Sequence, residues 1–316
     1  MIIDKKSVYN HKLALIIPTR NRADLLKKLL MSVRNQNLQP AQIIIVDGSD
    51  KPIKQSIAQY LLDNDMYVHV SPPSLTRQRN EGIRQINKDI TIAGYLDDDI
   101  EFESDSIEAM LRFWEAAPED TGGAGFNIVN IPDKKPFADI IRRFFYMDGR
   151  IPGKVLRSGF CTSAFPAVRD HSCEWLCGGA TIWRRKVLDN YQFDEYYTGW
   201  AYHEDAEFSY RVSKAFSLYV VHSAKVTHNP PPFNSQKNFA LGKMAVINRY
   251  HFVKKNPEMS TPLFYWSTIG EFLVNILQSI WERNLDGCRK ARGNMSALIH
   301  IMRNDLVQID ENFRKA

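Results

Sequence analysis

The stretches LALIIPTRN at 13–21, QIIIVDG at 42–48 and ITIAGYLDDD at 90–99 decide the fold of this chain. Each begins with a short run of apolar, mostly β-branched residues and ends in polar residues, which is typical of a buried strand. Between the first two, apolar residues recur at helical spacing over 24–35, which predicts an amphipathic helix. Strands that alternate with helices in this way predict an α/β fold, with a mostly parallel sheet that has helices on both faces.

The composition excludes several broad classes of protein. With 44% hydrophobic and 24% charged residues, the 316-residue chain can form a full core, which excludes bulk disorder. Its apolar stretches are far shorter than the ~18 residues that cross a bilayer, and the start, MIIDKKSVYNHKL, resembles no export signal. We therefore expect a cytoplasmic protein. The four cysteines lack paired C-x-x-C spacing, so we expect reduced thiols, with a zinc site at Cys173, Cys177 and His171 as the weaker alternative.

The net charge of +5 comes entirely from the end of the chain. Residues 233–316 contain 12 Lys and Arg against 7 Asp and Glu, whereas residues 1–232 contain 29 of each class. After the prolines at 230–232 the pattern is also wholly helical. We predict a catalytic domain over 1–232 and a helical C-terminal extension over 233–316. A neutral body with a basic extension is not typical of a nucleic-acid-binding face, so we expect no nucleic acid partner.

Polar residues follow three of the predicted strands. Pro18-Thr19-Arg20-Asn21, Asp47 and Asp97-Asp98-Asp99 all fall at carboxyl ends, where α/β sheets bind ligands. Adjacent carboxylates repel one another unless a cation lies between them, and Mn²⁺ or Mg²⁺ is the natural one. In extended backbone Asp97 and Asp99 point to the same side, with Asp98 opposite. A solvated acidic turn or a helix cap is the alternative.

Charged residues on two predicted helices are further candidates. On a helix Arg77 and Arg79 face different ways, so we expect one guanidinium to reach phosphate oxygens and the other to be exposed. Glu204 and Asp205 follow a histidine at a helix start. A carboxylate there would either accept a proton from an attacking hydroxyl or merely cap the helix.

Three positions elsewhere have both a functional and a structural interpretation. Gly178-Gly179 would let the backbone approach a ligand closely, or would form a plain turn. His228 follows a strand and precedes three prolines, so it is either a ligand of a metal or phosphate, or a structural histidine.

Together these motifs resemble the family 2 inverting glycosyltransferases, which are GT-A fold enzymes that use nucleotide-activated sugars. The resemblance covers roughly residues 12–230. It rests on six segments in the family's order: IIPTRNR at 16–22, IIIVDGSD at 43–50, TRQRNEG at 76–82, YLDDDI at 95–100, CGGATIWRR at 177–185 and HEDAEFSYR at 203–211.

The resemblance implies a role for each candidate residue. Pro18, Thr19 and Asn21 would line the nucleotide pocket, Asp47 would hydrogen-bond the base, and Asp97 and Asp98 would adjoin the nucleotide. Arg79 would approach the diphosphate or the sugar. Asp97 and Asp99 would be the DxD pair that holds Mn²⁺ or Mg²⁺, with His228 as a late ligand. Asp205 would be the catalytic base, and Gly178, Gly179, Trp200 and Glu204 would adjoin the donor sugar and the acceptor. One departure is Gly48 after Asp47, where the family often has a second acidic residue, so the ribose contacts are left open.

The expected function is metal-dependent, inverting transfer of a sugar to a glycan or lipid-linked acceptor, in the synthesis of a bacterial surface polysaccharide. A UDP-sugar is the expected donor. Two alternatives are a sugar nucleotidyltransferase, which needs a glycine-rich loop that residues 18–22 lack, and a non-catalytic carbohydrate-binding protein on the same fold.

The segment LFYWSTIGEFLVNILQSIW at 263–281 has two interpretations. Its apolar residues recur at helical spacing but are interrupted by Glu271, Asn275 and Gln278, so it is too polar to span a bilayer. It is either a helix packed on the catalytic domain or an interfacial helix with basic flanks. The second interpretation predicts peripheral contact through 236–316 with the inner face of the cell membrane.

Overall fold

The computed structural model describes residues 9–131, 136–230 and 235–304. The strands are β1 Leu13–Thr19, β2 Gln42–Asp47, β3 Met66–His69, β4 Ile92–Leu96, β5 Ile100–Phe102, β6 Thr121–Ile128, β7 His171–Cys173, β8 Ala180–Arg184 and β9 Ser217–His228. The helices are α1 Ala23–Arg34, α2 Lys54–Ile57, α3 Leu75–Arg84, α4 Ser106–Ala116, α5 Pro136–Phe144, α6 Arg185–Asn190, α7 Glu204–Ser213, α8 Asn238–Lys255, α9 Thr261–Glu282 and α10 Asp286–Arg303. Short 3₁₀ turns cover Ala58–Tyr60 and Ser235–Lys237.

The strands form one nine-stranded sheet with the order β3-β2-β1-β4-β8-β6-β9-β5, and β7 also pairs with β9. From β3 to β4 all the ladders are parallel, as the βα alternation predicts. The other half is mixed: β8 runs antiparallel to both β4 and β6, while β6 and β9 are parallel. The predicted α/β fold with a mostly parallel sheet is thus confirmed, and the antiparallel ladders lie in the half that contains β8.

Both faces of the sheet are buried, which explains the continuous apolar runs in the sequence. Leu15 and Ile17 of β1 lie in one core cluster, with Leu26 of α1. Ala14 and Ile16 point the opposite way, into a second cluster. Alternate residues of one strand therefore contact different cores, and neither face can carry polar side chains.

Strand β6 was not predicted, because its sequence TGGAGFNI looks like a loop. It is nevertheless fully buried between β8 and β9. A Cβ atom on Gly123 would lie 2.5 Å from the Trp183 ring, so the absence of a side chain there is what admits the indole. These glycines are therefore required for close packing against neighbouring side chains, and not for chain flexibility.

The described part of the Gly- and Pro-containing stretch 132–175 includes regular elements. It contains α5 and β7, and Val155 forms an isolated bridge with Cys161. Residues 132–135 lie outside the described residues.

Helices α8, α9 and α10 pack together, as the helical pattern after residue 232 predicts. Their core is shared with the rest of the molecule, since Tyr210 of α7 belongs to the same cluster as Val246 and Phe252 of α8 and Phe264 of α9. Within the described ranges, no helix is both long enough and apolar enough to cross a bilayer.

Candidate active site

The carboxyl ends of β1, β2 and β4 bring the predicted polar residues to one edge of the sheet. The parallel register sets Thr19 beside Asp47, and the acidic triplet directly follows β4, the other neighbour of β1. Gln78 of α3 ties two of these ends together, since its Nε2 donates to the carbonyl oxygens of Thr19 at 2.9 Å and Val46 at 2.7 Å.

Asp98 faces β1, as the alternation of side chains predicts. It accepts hydrogen bonds from Thr19 Oγ1 at 2.7 Å and from Arg22 Nη1 at 3.1 Å. Burial raises its pKa to about 6, although these two partners act in the opposite direction. Arg22 Nη1 also lies 3.5 Å from Asp99 Oδ2. The contact of Arg22 with Asp98 and Asp99 was not predicted; its only signal in the sequence is a cation in the loop after the first strand.

Asp97, Asp99 and His228 form a group that can hold a metal ion. One ligand atom from each lies within 4.8 Å of the other two. The antiparallel pairing of β5 with β9 sets Ile100 opposite His228, which brings the end of the chain's last strand to the acidic triplet. His228 Nε2 lies 3.1 Å from Asp99 Oδ1, and this contact raises the pKa of His228.

The donor set fits a hard divalent cation. Carboxylate oxygens are the preferred ligands of Mg²⁺ and Mn²⁺, and an imidazole nitrogen suits Mn²⁺ as well. A search of the described residues for three or more His, Cys, Asp or Glu side chains with this spacing gives this group, which contains neither Cys173 nor Cys177. The zinc alternative at those cysteines has no such support.

Arg79 lies at the centre of the site with 1% of its surface exposed. Its Nη1 donates to Glu204 Oε1 at 2.5 Å and its Nη2 to Asp97 Oδ1 at 3.3 Å. The guanidinium lies 5.0 Å from the Phe193 ring centroid. Arg77, by contrast, is exposed and pairs with Glu195. Of the two arginines, only Arg79 contacts Asp97 and Glu204, and its contact with phosphate stays a prediction.

Asp205 occupies the first turn of α7 and faces the glycine pair. Its Oδ2 accepts a hydrogen bond from the backbone N–H of Gly178 at 3.1 Å, and its Oδ1 accepts one from that of Ala206 at 2.8 Å. Burial is the main reason that its pKa is raised, and the two backbone donors oppose the shift. A Cβ on Gly178 would lie 2.7 Å from Arg79 Nη1 and 2.8 Å from Asp205 Cβ, so only glycine fits between them.

Glu204 is buried beside Asp205, with 6% exposure. Burial, and then the neighbouring Asp205 charge, raises its pKa to about 8, although Arg79 favours the ionised form. One arginine therefore faces three carboxylates, those of Glu204, Asp97 and Asp205.

Two loops at the ends of β1 and β2 are held together by hydrogen bonds. Asn21, in the left-handed conformation at φ 55°, donates from Nδ2 to Asp50 at 2.9 Å and from its backbone N–H to Ser49 Oγ at 2.7 Å. Asp47 is fully buried and accepts hydrogen bonds from the backbone N–H of Ser49 and Ile53 and from the Tyr67 hydroxyl. These partners hold Asp47 in the floor of the loop, and its contact with a base stays a prediction.

The loop before α7 is held by the C-terminal helix α8. Tyr196 stacks on His251 with ring centroids 3.6 Å apart, and Asn248 Nδ2 donates to the carbonyl oxygen of Tyr202 at 2.6 Å. Trp200 is 41% exposed, with Lys237 Nζ 4.9 Å from its ring centroid. The contribution of α8 to this loop was not predicted, because it depends on pairs that are distant in sequence.

Comparison with known proteins identifies the family of this chain. The profile of glycosyl transferase family 2 matches residues 14–192, which is more than half of the chain. GalNAc(5)-diNAcBac-PP-undecaprenol beta-1,3-glucosyltransferase from Campylobacter jejuni is 28% identical over 106 residues. That match covers 32% of this chain and spans 34% of the length of the relative.

Solved structures show the same fold at low sequence identity. The mannosyltransferase PcManGT from Pyrobaculum calidifontis, solved with GDP-Man and Mn²⁺, aligns with a TM-score of 0.58 and 11% identity over 94% of this chain and 89% of its own. GalNAc-T7, solved with UDP, GalNAc and Mn²⁺, aligns with a TM-score of 0.57 and 15% identity over 82% of this chain and 54% of its own. Because the family profile covers more than half of its length, the chain belongs to glycosyl transferase family 2.

Proposed function

We propose that this glycosyltransferase moves a sugar from a nucleotide diphosphate donor, a UDP-sugar, to an acceptor hydroxyl with inversion at the anomeric carbon. The observation that carries the proposal is the convergence of two groups on Arg79. The possible cation ligands Asp97, Asp99 and His228 lie on one side, and the carboxylate of Asp205 lies on the other.

The nucleotide would bind over the ends of β1 and β2. Pro18 and Thr19 end β1 and Asn21 lies in the loop that follows, while Asp47 ends β2 and supports the loop after that strand. The hydrogen bonds between the loops, such as that from Asn21 to Asp50, preorganise this surface and lower the conformational cost of binding.

The diphosphate would lie beside Asp97 and Asp99, with Asp98 held back by Thr19. A divalent cation bound here would supply a Lewis acid that stabilises the negative charge developing on the departing diphosphate. Arg79 is available to contact the diphosphate or the sugar with its charge already balanced by carboxylates, and its burial beside Phe193 limits its motion.

Asp205 is proposed as the general base. In its ionised form it would take the proton of the acceptor hydroxyl as that oxygen attacks the anomeric carbon from the side opposite the diphosphate. The glycine pair 178–179 would let Asp97, Arg79 and Asp205 approach the backbone closely beside the sugar, and Trp200 and Glu204 would adjoin the acceptor. Closure around the donor excludes water, which would otherwise hydrolyse it.

The acceptor is proposed to be a glycan or a lipid-linked glycan. The Campylobacter jejuni relative carries undecaprenol diphosphate in its name, which favours the lipid-linked class. The reaction would then belong to bacterial surface polysaccharide synthesis at the inner face of the cell membrane.

The test is incubation of the purified protein with a panel of nucleotide sugars and Mn²⁺, with and without EDTA. We expect slow, Mn²⁺-dependent release of the nucleoside diphosphate from one donor, and faster release with a matching acceptor. The anomeric configuration of the product, read from its proton NMR coupling constant, tests inversion. Pyrophosphate-dependent exchange would instead identify a nucleotidyltransferase, and the absence of turnover with every donor would favour a binding protein.

A further inference from the structure

Helix α9 exposes six of its large apolar side chains, while the residues that it buries are mostly small or polar; its other large apolar residues, such as Phe272 and Ile276, are half-buried. Its buried residues are Phe264, Ser267, Thr268, Gly270 and Ser279, of which only the first is a large apolar residue. Its exposed large apolar residues, between 39% and 79% exposed, are Trp266, Ile269, Leu273, Leu277, Ile280 and Trp281. A helix that merely covers a core in water has the opposite arrangement.

The exposed residues form a strip along one side of the helix, interrupted at Gly270, which packs against Phe145. At about 100° per residue, the six positions fall within an arc of about 120° on the helix surface. Polar residues of α9 make contacts with the protein elsewhere on the helix: Glu271 pairs with Arg249 at 2.9 Å, and Asn275 donates to Asn294 at 2.8 Å. The helix is thus anchored by polar contacts, and Ile269, Leu273, Leu277 and Ile280 on its other side are between 41% and 69% exposed.

Helix α5 extends this strip. The Phe144 ring lies 5.5 Å from the Trp266 ring, and Trp266 Nε1 donates to the carbonyl oxygen of Phe144 at 3.0 Å. Phe144 and Ile140, one turn apart, are 63% and 67% exposed. We call Ile140, Phe144 and the six residues of α9 the α5–α9 apolar face.

The residues at the edge of this face are of the types that favour an anionic membrane surface. Tryptophans lie near both ends of α9, and indole rings favour the interface between headgroups and hydrocarbon. Arg143 adjoins Phe144, Arg283 follows α9, and both are exposed. Glu282 lies about 100° around the helix from Trp281 and so points away from the strip. The extension that contains α9 also carries the whole positive excess of the chain.

We propose that the α5–α9 apolar face docks on the surface of a membrane that contains anionic lipids, with α9 lying in the plane of the interface. Burial of the strip among the headgroups supplies the apolar contribution, and the arginines add a Coulomb contribution. The docking itself does not depend on the transfer reaction. Only the inference that it brings the site to a lipid-linked acceptor rests on the function proposed above.

The test uses the full-length chain, because the core of α8–α10 is shared with α7. Co-sedimentation is measured with vesicles of phosphatidylcholine alone and with vesicles that also contain phosphatidylglycerol, at low and high salt. We expect binding that is stronger to the anionic vesicles and weaker at high salt. Absence of binding to both kinds of vesicle would overturn the proposal.

Two double variants distinguish the strip from general surface hydrophobicity. Leu277→Gln with Ile280→Gln removes two exposed members of the strip and should lower the vesicle partition coefficient at least about tenfold. Leu62→Gln with Val168→Gln removes two exposed apolar residues of other segments, 58% and 84% exposed, and should leave it unchanged. Equal loss in both variants, or in neither, would contradict the proposal.

Two further measurements separate the remaining explanations. Sedimentation velocity without vesicles tests whether a second copy of the chain covers the face. If the wild type is a dimer, the strip variant is a monomer and neither binds vesicles, the face is a self-association surface and the membrane proposal is wrong. Nucleotide release from the soluble donor should be the same in the strip variant and the wild type. If neither the wild type nor the strip variant releases nucleotide, the proposed function is contradicted. If the strip variant loses vesicle binding but keeps this activity, the docking proposal is supported independently of the function.

Discussion

A Cβ atom on Gly179 would lie 2.3 Å from Oδ2 of Asp97. The proposed metal-binding carboxylate therefore packs directly against the backbone of the residue that precedes β8. The carbonyl oxygen of Gly179 also accepts the backbone N–H of Asp97 at 2.9 Å. The antiparallel ladder between β4 and β8 thus fixes Asp97 by contact as well as by hydrogen bonding.

Replacement of Gly179 by alanine should displace the Asp97 carboxylate while leaving most of the fold intact. A shift of about 1 Å at a reacting group costs roughly a hundredfold in rate, so we expect transfer to fall by about that factor. Steady-state kinetics and circular dichroism measure the two properties separately. Gly149→Ala is the control, since its nearest contact is a side-chain methyl group of Thr162 at 3.0 Å. Wild-type kinetics in Gly179→Ala would show that the Asp97 position is not needed.

Asp99→Asn should weaken nucleotide binding only when metal is present. The change replaces a charged oxygen ligand by a neutral one at the group formed with Asp97 and His228. Loss of one ligand charge should lower Mn²⁺-dependent affinity by at least about tenfold. Isothermal titration with the nucleoside diphosphate, in Mn²⁺ and again in EDTA, gives the comparison. If the variant loses affinity equally in both buffers, Asp99 acts on the nucleotide without a metal ion.

The parallel half of the fold could be predicted because its strands are apolar on both faces. Residues of β1 such as Ile16 and Ile17 enter opposite cores, so every position had to be hydrophobic and the strand was visible in the sequence. Strand β6 could not be predicted in this way. Gly123 is required by the Trp183 ring of the neighbouring strand, and a contact between residues 60 positions apart leaves no local periodicity.

The same distinction applies to the site. The residues that follow strands, such as Thr19 and Asp97, were predictable because parallel strands end at one edge. The pairing of Arg79 with Glu204 spans 125 positions, and the hold of α8 on the loop before α7 depends on Tyr196 and His251. These contacts come from tertiary packing alone, so the sequence could identify single candidate residues but could not predict which of them pair.

Asp205→Asn should abolish transfer and leave donor binding within about twofold of the wild type. Asparagine can still accept from the Gly178 N–H through its one oxygen, at the loss of the bond from the Ala206 N–H, but it cannot take the acceptor proton. General base catalysis is worth roughly 10²–10⁴ in rate, and we expect a loss in that range. Turnover and donor affinity are measured on the same preparation. Asp189→Asn, a change at a half-exposed carboxylate paired with Arg185, is the matched control. Near-normal turnover in Asp205→Asn would mean that another group is the base.

The pH dependence of transfer follows from the environment of Asp205. Burial raises the pKa of this carboxyl, and only its ionised form can act as the base. Activity should therefore fall as pH falls, and the midpoint should lie above the ordinary aspartate value of 3.8. The dependence of kcat/KM on pH, measured between pH 4.5 and 9 at saturating Mn²⁺, tests this. A profile that is flat down to pH 4.5 would contradict it.

Glu204 should make the folded protein less stable as the pH rises. Burial raises its pKa from 4.5 to about 8, so between these values the folded chain holds a proton that the unfolded chain has released. The free energy of unfolding then decreases with increasing pH across this window. Glu204→Gln removes the titration but can still accept from Arg79, so the variant should gain stability relative to the wild type between pH 5 and pH 8. The gain should exceed about 1 kcal/mol, since one pKa unit corresponds to about 1.4 kcal/mol.

Urea denaturation at pH 5 and pH 8 measures the free energy of unfolding. Glu81→Gln, at a partly exposed carboxylate paired with Arg84, is the control. Parallel stability curves for wild type and Glu204→Gln would mean that Glu204 is ionised throughout and pairs fully with Arg79.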